Sequence, residues 1–283
     1  MLNIAINGSS GFIASNLIKY LVNKSEINVF AYTRQKKLQE YRSIKYKFCE
    51  IENAENLSSL DYIIYCSYNF NSLKNYNCNK LKILLEKTKY LKVRVIYISS
   101  CSASYKSKSK YSKDKIRCEN MIKFYNQTII RVPTIILKKN DNVFIGGQGK
   151  ALNNLIIFMN LFKFFPLIGN GNFVHNYCMI EDFNNIIYLI LDKKIDEKFL
   201  IIKNTNEIKF KNLISIILTI KKLNLRLIPV PIIFLKIILF PTKFVKSNRI
   251  SSYDSLIDVI SDNNTISDKK YFLKDFEYTN FTS

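Results

Sequence analysis

Tyr111 and Lys115 stand one helical turn apart in Tyr111-Ser112-Lys113-Asp114-Lys115, so on a helix their side chains share a face. A phenol beside an ammonium is an acid/base device. Tyrosine ordinarily titrates near pH 10, and a neighbouring cation favours the phenolate, which brings the group closer to a pH at which it can both accept and return a proton. The spacing alone carries little weight in a chain with 18 tyrosines, because it recurs at Tyr20/Lys24, Tyr32/Lys36, Tyr41/Lys45 and Tyr76/Lys80. Setting separates the Tyr111 pair: it opens the helix after Val95-Ile96-Tyr97-Ile98-Ser99-Ser100, an apolar strand ending in two hydroxyls.

A second chemistry-bearing stretch is Asn3-Ile4-Ala5-Ile6-Asn7-Gly8-Ser9-Ser10-Gly11-Phe12-Ile13-Ala14. A short apolar run, a glycine turn and then helical spacing suit a nucleotide phosphate, because the free amides and dipole at a helix start attract a pyrophosphate. The chain has only 7 glycines, and they fall in three places: this turn, Gly146-Gly147-Gln148-Gly149, and Gly169-Asn170-Gly171.

The elements that must position these residues alternate. Strands are expected at 3–7, 28–33, 46–51, 62–66, 93–99 and 128–132, and helices at 12–23, 79–90 and 112–125. Such alternation implies right-handed crossovers and a parallel sheet covered on both faces, with ligands at the carboxyl ends of its strands. After Pro133 the pattern is less regular, with a helix from about residue 150 and another at 180–191, preceded by the acidic Glu181-Asp182 turn. This reads as a lobe laid over the sheet.

Composition bounds the class. A chain of 283 residues that is 48% hydrophobic can bury a full core and is not a mainly disordered protein. Its six cysteines show no Cys-x-x-Cys pair, and one histidine leaves a metal site without its usual ligands, so reduced thiols and no metal are expected. The charge of +21 is spread along a chain also rich in Asn, Ile, Phe and Tyr, so it reads as a compositional bias rather than a nucleic-acid footprint. The start of the chain is strand-like, without a basic-then-apolar leader, and a cytoplasmic protein is expected. Residues 227–240 are the most apolar stretch, but Pro229, Pro231 and Lys236 interrupt it and it is shorter than the roughly 20 residues needed to cross a bilayer. It is read as a buried or surface-docking helix in preference to membrane contact, with a peripheral membrane protein using this stretch and surface lysines as a third alternative.

With these residues in hand, the chain resembles the extended short-chain dehydrogenase/reductase family, and within it the NAD(P)-dependent nucleotide-sugar epimerases, reductases and dehydratases of surface-polysaccharide pathways. The resemblance spans nearly the whole chain. It rests on Gly8-x-x-Gly11-x-x-Ala14, Asp61-Tyr62-Ile63-Ile64-Tyr65-Cys66-Ser67, Ser99-Ser100-Cys101-Ser102-Ala103 before Tyr111 and Lys115, Ile129-Ile130-Arg131-Val132-Pro133, and Met179-Ile180-Glu181-Asp182. It implies a Rossmann-type, doubly wound α/β sheet over 1–135 plus about 174–200, with a smaller, mostly C-terminal substrate-binding lobe over about 136–173 and 201–283.

The resemblance also implies roles. Tyr111 is then the acid/base, Lys115 tunes its phenol and holds the nicotinamide ribose, and Ser100 orients the reacting oxygen; a shift of one residue would put Cys101 there instead. The cofactor would lie on Gly8, Ser10, Gly11, Phe12 and Ile13, on Cys66 and Ser67 after the fourth strand, on Pro133, and near the adenine on Glu50 and Ile51. Arg34 stands where relatives that prefer NAD carry an acidic residue, so NADP(H) is favoured, with NAD(H) kept open. Substrate contacts would fall to Ser102, Thr134, Lys150, His175, Arg226 and Arg249. His175 departs from the arginine expected on a substrate diphosphate, and either a structural role or a substrate contact fits it.

The implied function is hydride transfer at a carbon of a nucleotide-diphosphate sugar, C4 above all, ending in 4-keto reduction or 4-epimerisation. The alternative is a catalytically weakened NAD(P)H-binding scaffold or redox-responsive module. The family's frequent homodimer is compatible with the chain.

Overall fold

The computed structural model describes residues 1–34, 44–70, 75–103, 109–139, 142–146, 149–239, 271–273 and 276–281. The first half alternates as expected: β1 (Leu2–Asn7), α1 (Phe12–Leu21), β2 (Ile27–Tyr32), β3 (Ile44–Lys47), β4 (Tyr62–Tyr65), α2 (Tyr76–Thr88), β5 (Arg94–Ser100), α3 (Lys110–Phe124) and β6 (Thr128–Val132). The remainder is β7 (Thr134–Lys139), β8 (Asn142–Gly146), α4 (Gly149–Met159), β9 (Phe164–Ile168), β10 (Val174–His175), β11 (Tyr177–Met179), α5 (Ile180–Leu191), β12 (Phe199–Ile201), β13 (Ile208–Lys209), α6 (Phe210–Ile220), β14 (Arg226–Val230) and α7 (Ile232–Leu239).

Seven strands form one sheet in the order β12-β6-β5-β4-β1-β2-β3, every neighbouring pair parallel. This is the Rossmann-type arrangement, with strand order reversing about β1. Alternation along β1 shows why both faces must be covered: Ile4 and Ile6 pack towards α1 and α5, while Ala5 packs with α2 and α3 residues such as Leu81, Leu85 and Ile122. In α1 the buried positions Ala14, Leu17, Ile18 and Leu21 fall at helical spacing and form its inward stripe. Ser109 caps α3, its Oγ accepting from the Ser112 amide at 3.0 Å, and this fixes where the Tyr111 turn begins.

A third apolar cluster, around Ile136, Phe165, Leu167, Phe210, Ile214 and Phe281, lies outside the large sheet and holds β7, β8, β9, β11, α4 and α6 together. Two expectations are corrected here. The strand expected at 46–51 is displaced to Ile44–Lys47, and Ile51–Asn53 is a 3-10 turn. Residues 227–240 are not one helix: Pro229 and Pro231 leave a strand, β14, running parallel to β9, and the helix starts only after Pro231.

Candidate active site

A cavity of about 460 Å³ opens along the carboxyl ends of the sheet strands. Its lining follows the strand order: Glu50 after β3, Arg34 after β2, Gly8 after β1, Cys66 after β4 and Ser100 at the end of β5. Five adjacent strand ends at about 4.8 Å apiece make a trough about 19 Å long, which suits an extended dinucleotide.

The glycine turn supplies its floor. Gly8 has φ +75°, and a Cβ there would stand 3.0 Å from the Ser67 backbone, so the close approach of the β1 and β4 ends requires glycine. A Cβ on Gly11 would meet the Gly8 carbonyl oxygen at 3.1 Å. Helix α1 then starts with no carboxylate in its first turn and no side-chain cap, leaving its first amides directed at the trough. The residues present therefore fit a dinucleotide pyrophosphate. Phe12 closes the turn from the lobe side, its ring lying where a side chain on Gly146 would be.

At the β5 end, Tyr111 and Lys115 line the same cavity. Lys115 is only 4% exposed, its Nζ donating to the Ile98 carbonyl oxygen at 2.9 Å. The ammonium sits 5.7 Å from the Tyr111 ring centre and 4.7 and 5.3 Å from those of Tyr97 and Tyr68. Burial pushes its pKa down to about 8, so at neutral pH it is still mostly charged. Phe70 stacks on the Tyr111 ring at 5.5 Å with planes 10° apart, and Tyr68 meets it edge-on at 4.8 Å. Tyr68 is itself tied down, its hydroxyl donating to Asp114 Oδ2 at 3.2 Å.

The two serines at the end of β5 have different partners. Ser99 Oγ donates to Glu119 Oε1 at 2.6 Å, and Glu119 also takes the Arg131 guanidinium through both oxygens, at 2.9 and 2.7 Å. Ser100 Oγ pairs with Ser102 Oγ at 2.9 Å and lines the cavity. Cys101 does not line the cavity, its Sγ being directed at the Ile202 carbonyl oxygen. Cys66 faces the cavity, and burial pushes its thiol up to about 12.

At the other end, Glu50 is held by Lys80 through a short ion pair, lies 3.9 Å from Arg34 Nη1, and accepts from the Tyr76 hydroxyl at 3.5 Å. Lys80 and Tyr76 belong to one of the Tyr-x-x-x-Lys pairs that sequence reading set aside, and neither was expected at the site. Tyr68, Phe70 and Gly146 were likewise missed. Only the aromatic run after β4 offered a signal for them.

Of the residues expected on the cofactor, Gly8, Ser10, Gly11, Phe12, Ile13, Arg34, Glu50, Cys66, Ser67, Tyr111, Lys115 and Pro133 all line the cavity. Ile51 does not: it is fully buried in the core beneath α2, and its place is taken by its neighbours Glu50 and Glu52. Four of the residues expected on the substrate also lie outside the lining. Ser102 is fully buried and bonds to Ser100. Thr134 and His175 bond to each other, Oγ1 to Nε2 at 3.0 Å. The His175 ring is buried against Phe210, and burial pushes its pKa down to about 4, so it is neutral at pH 7. Arg226 is exposed on β14, opposite Phe164. Arg249 and the Lys150 side chain are outside the described residues.

No protein-family model and no curated protein sequence matches the chain. Solved structures do share its fold. A dTDP-glucose 4,6-dehydratase from Bacillus anthracis in complex with NAD superposes with a TM-score of 0.65 at 16% identity, over 96% of this chain and 99% of that one. A UDP-glucuronic acid 4-epimerase from Bacillus cereus, in complex with UDP-glucuronic acid and NAD, gives 0.63 at 16% identity over 93% and 98%. A UDP-glucose 4-epimerase with UDP-glucose from Thermotoga maritima gives 0.60 at 17% identity over 81% and 86%. The chain thus shares the fold of these nucleotide-sugar enzymes.

Proposed function

We propose that the protein is an NAD(P)-dependent oxidoreductase or epimerase of the extended short-chain dehydrogenase/reductase type, acting at a carbon of a nucleotide-diphosphate sugar. One observation carries this reading: Tyr111, Lys115 and Ser100 line the same trough as the Gly8–Gly11 turn, at the opposite end from Arg34. A nicotinamide nucleotide, when bound, would supply the hydride acceptor and donor. The chain's own contribution is the proton and the geometry. Tyr111 takes the proton from, or returns it to, the sugar hydroxyl, Lys115 keeps a positive charge beside the phenol, and Ser100, held by Ser102, orients the reacting oxygen. The sugar carbon is C4 in this reading, the outcome 4-keto reduction or 4-epimerisation, and the pathway surface polysaccharide synthesis. The lobe of residues 136–173 and 201–283 takes the sugar nucleotide, with Lys150 and Arg249 as the cations for its diphosphate. The test is to mix the protein with NADPH or NADH and a panel of UDP- and dTDP-sugars. Turnover on one of them supports the enzyme, and firm cofactor binding without turnover on any supports the scaffold reading instead.

For the cofactor, NADP(H) is favoured by Arg34, whose side chain is 65% exposed at the rim, with the Lys80 ammonium beside it. Glu50 lies between them, and its carboxylate is already engaged by Lys80. A 2′-phosphate would therefore meet the exposed Arg34 guanidinium, with the carboxylate nearest to it already paired with Lys80. Arg34→Ala is expected to lower NADPH affinity about tenfold, with NADH affinity little changed. Parallel titrations of both nucleotides measure this, and an unchanged ratio of affinities would remove the assignment.

A further inference from the structure

We propose that the lobe carries a docking surface for an anionic lipid bilayer, built from the end of α4, the outer face of the β9/β14 pair, and α7. Sequence reading expected residues 227–240 to be covered as one helix, but the two prolines divide the stretch and its apolar side chains are left in the open. Among the described side chains of α7, Leu235 is buried, while Ile233, Phe234 and Ile237 are 57–65% exposed. At the end of α4 and just beyond it, Ile157, Phe158, Leu161 and Phe162 are 56–76% exposed. Isolated exposed apolar residues are ordinary, but a contiguous group of this size marks a contact surface.

From the end of α4 to β9 the group is contiguous. Phe158 meets Phe162 at 5.4 Å between ring centres, and Phe162 meets Phe164 at 6.3 Å. Along β9, Phe165 and Leu167 are buried and Phe164, Pro166 and Ile168 half-buried, the latter three level with Arg226, Ile228 and Val230 of β14, of which Arg226 and Ile228 are exposed. The chain then passes through Pro231 directly into α7.

Charge selects the occupant. Residues 142–180 and 208–239, which carry all of these elements, contain none of the chain's 22 carboxylates, yet hold two and six of its Lys and Arg residues respectively. Two of these cations adjoin the aromatic group: Lys163 and Arg226 are both exposed, and the Arg226 amide donates to the Lys163 carbonyl oxygen at 3.1 Å. A second copy seated here by two-fold symmetry would present the same carboxylate-free elements, so these cations would find no acidic partner on it. Nucleic acid would suit the charge but leave the apolar rings in water. Anionic headgroups above an apolar interior satisfy both sets of groups. An eight-residue helix spans only about 12 Å, and no helix among the described residues is long and apolar enough to cross a membrane, so the contact is peripheral.

The inference does not rest on the enzymatic reading, and flotation of the full chain with vesicles tests it. The protein should float with phosphatidylglycerol/phosphatidylcholine vesicles at about 0.1 M salt, float poorly with phosphatidylcholine alone, and be released at about 1 M, where the Debye length falls to about 3 Å. Ile233→Ser/Phe234→Ser/Ile237→Ser, and separately Phe158→Ser/Phe162→Ser, should each weaken binding about tenfold or more, with thermal melting unchanged because the replaced side chains are more than half exposed. If one variant melts early, the other decides. The proposal is overturned if the wild type does not float at low salt, or if flotation survives both sets of changes. It is also overturned if these changes abolish a dimer in solution and leave vesicle binding intact, which would make a second copy the occupant.

Discussion

Tyr111→Phe is expected to lower turnover about 10²–10⁴-fold, the range a positioned acid/base contributes, while cofactor affinity stays within about twofold. The asymmetry follows from the ring's surroundings. Phe70 stacks on it and Tyr68 packs against its edge, so phenylalanine keeps both aromatic contacts and loses only the hydroxyl. Neither the Gly8–Gly11 turn nor Arg34 is disturbed. Initial rates on whichever sugar nucleotide is turned over, together with a cofactor titration, separate the two quantities. Turnover equal to wild type would remove Tyr111 from the chemistry; loss of cofactor binding would make it a wall of the trough.

Lys115→Met is expected to raise stability and abolish most turnover. Holding a charged ammonium at 4% exposure is unfavourable, and the fall of its pKa from 10.5 to about 8 corresponds to about 3 kcal/mol at neutral pH. Losing the hydrogen bond to the Ile98 carbonyl oxygen costs about 1 kcal/mol in return. The variant should thus be more stable by about 1–2 kcal/mol in denaturant unfolding at pH 7. The pH dependence has a definite sign. The native lysine titrates below the unfolded one, so the native state binds fewer protons in the window from about pH 8 to 10.5, and wild-type stability gains from this group as pH rises through it. The variant lacks that gain. Turnover in the wild type should fall above about pH 8, where the charge beside Tyr111 is lost. A less stable variant with wild-type turnover would contradict the account of this site.

Much of the site was legible because it depends on local grammar. The Gly8–Gly11 turn, the hydroxyl-ended strand and the Tyr111/Lys115 helix are each set by short-range spacing, and the sheet order follows from strand–helix alternation. What sequence could not show is which of several identical spacings the fold would use. Tyr76/Lys80 looks like chance repetition, yet α2 carries it to the rim beside Glu50, on a strand end far away in sequence. His175 was ambiguous for a similar reason: its pairing with Thr134 and its burial against the Phe210 ring are tertiary properties. Ile51 was misjudged because a one-residue step in the 3-10 turn sends Glu50 to the cavity and Ile51 to the core. The division of residues 227–240 was signalled by Pro229 and Pro231, but whether the apolar side chains beyond them find a cover is a tertiary property.

The most direct test of the central claim is a crystal structure of the protein with NADPH bound. The account predicts pyrophosphate oxygens on the first-turn amides of α1 and a nicotinamide ribose hydroxyl within hydrogen-bonding reach of Lys115 Nζ, with the Tyr111 oxygen facing the nicotinamide. A nucleotide bound away from the Gly8–Gly11 turn, or a Tyr111 hydroxyl directed out of the trough in that complex, would contradict it.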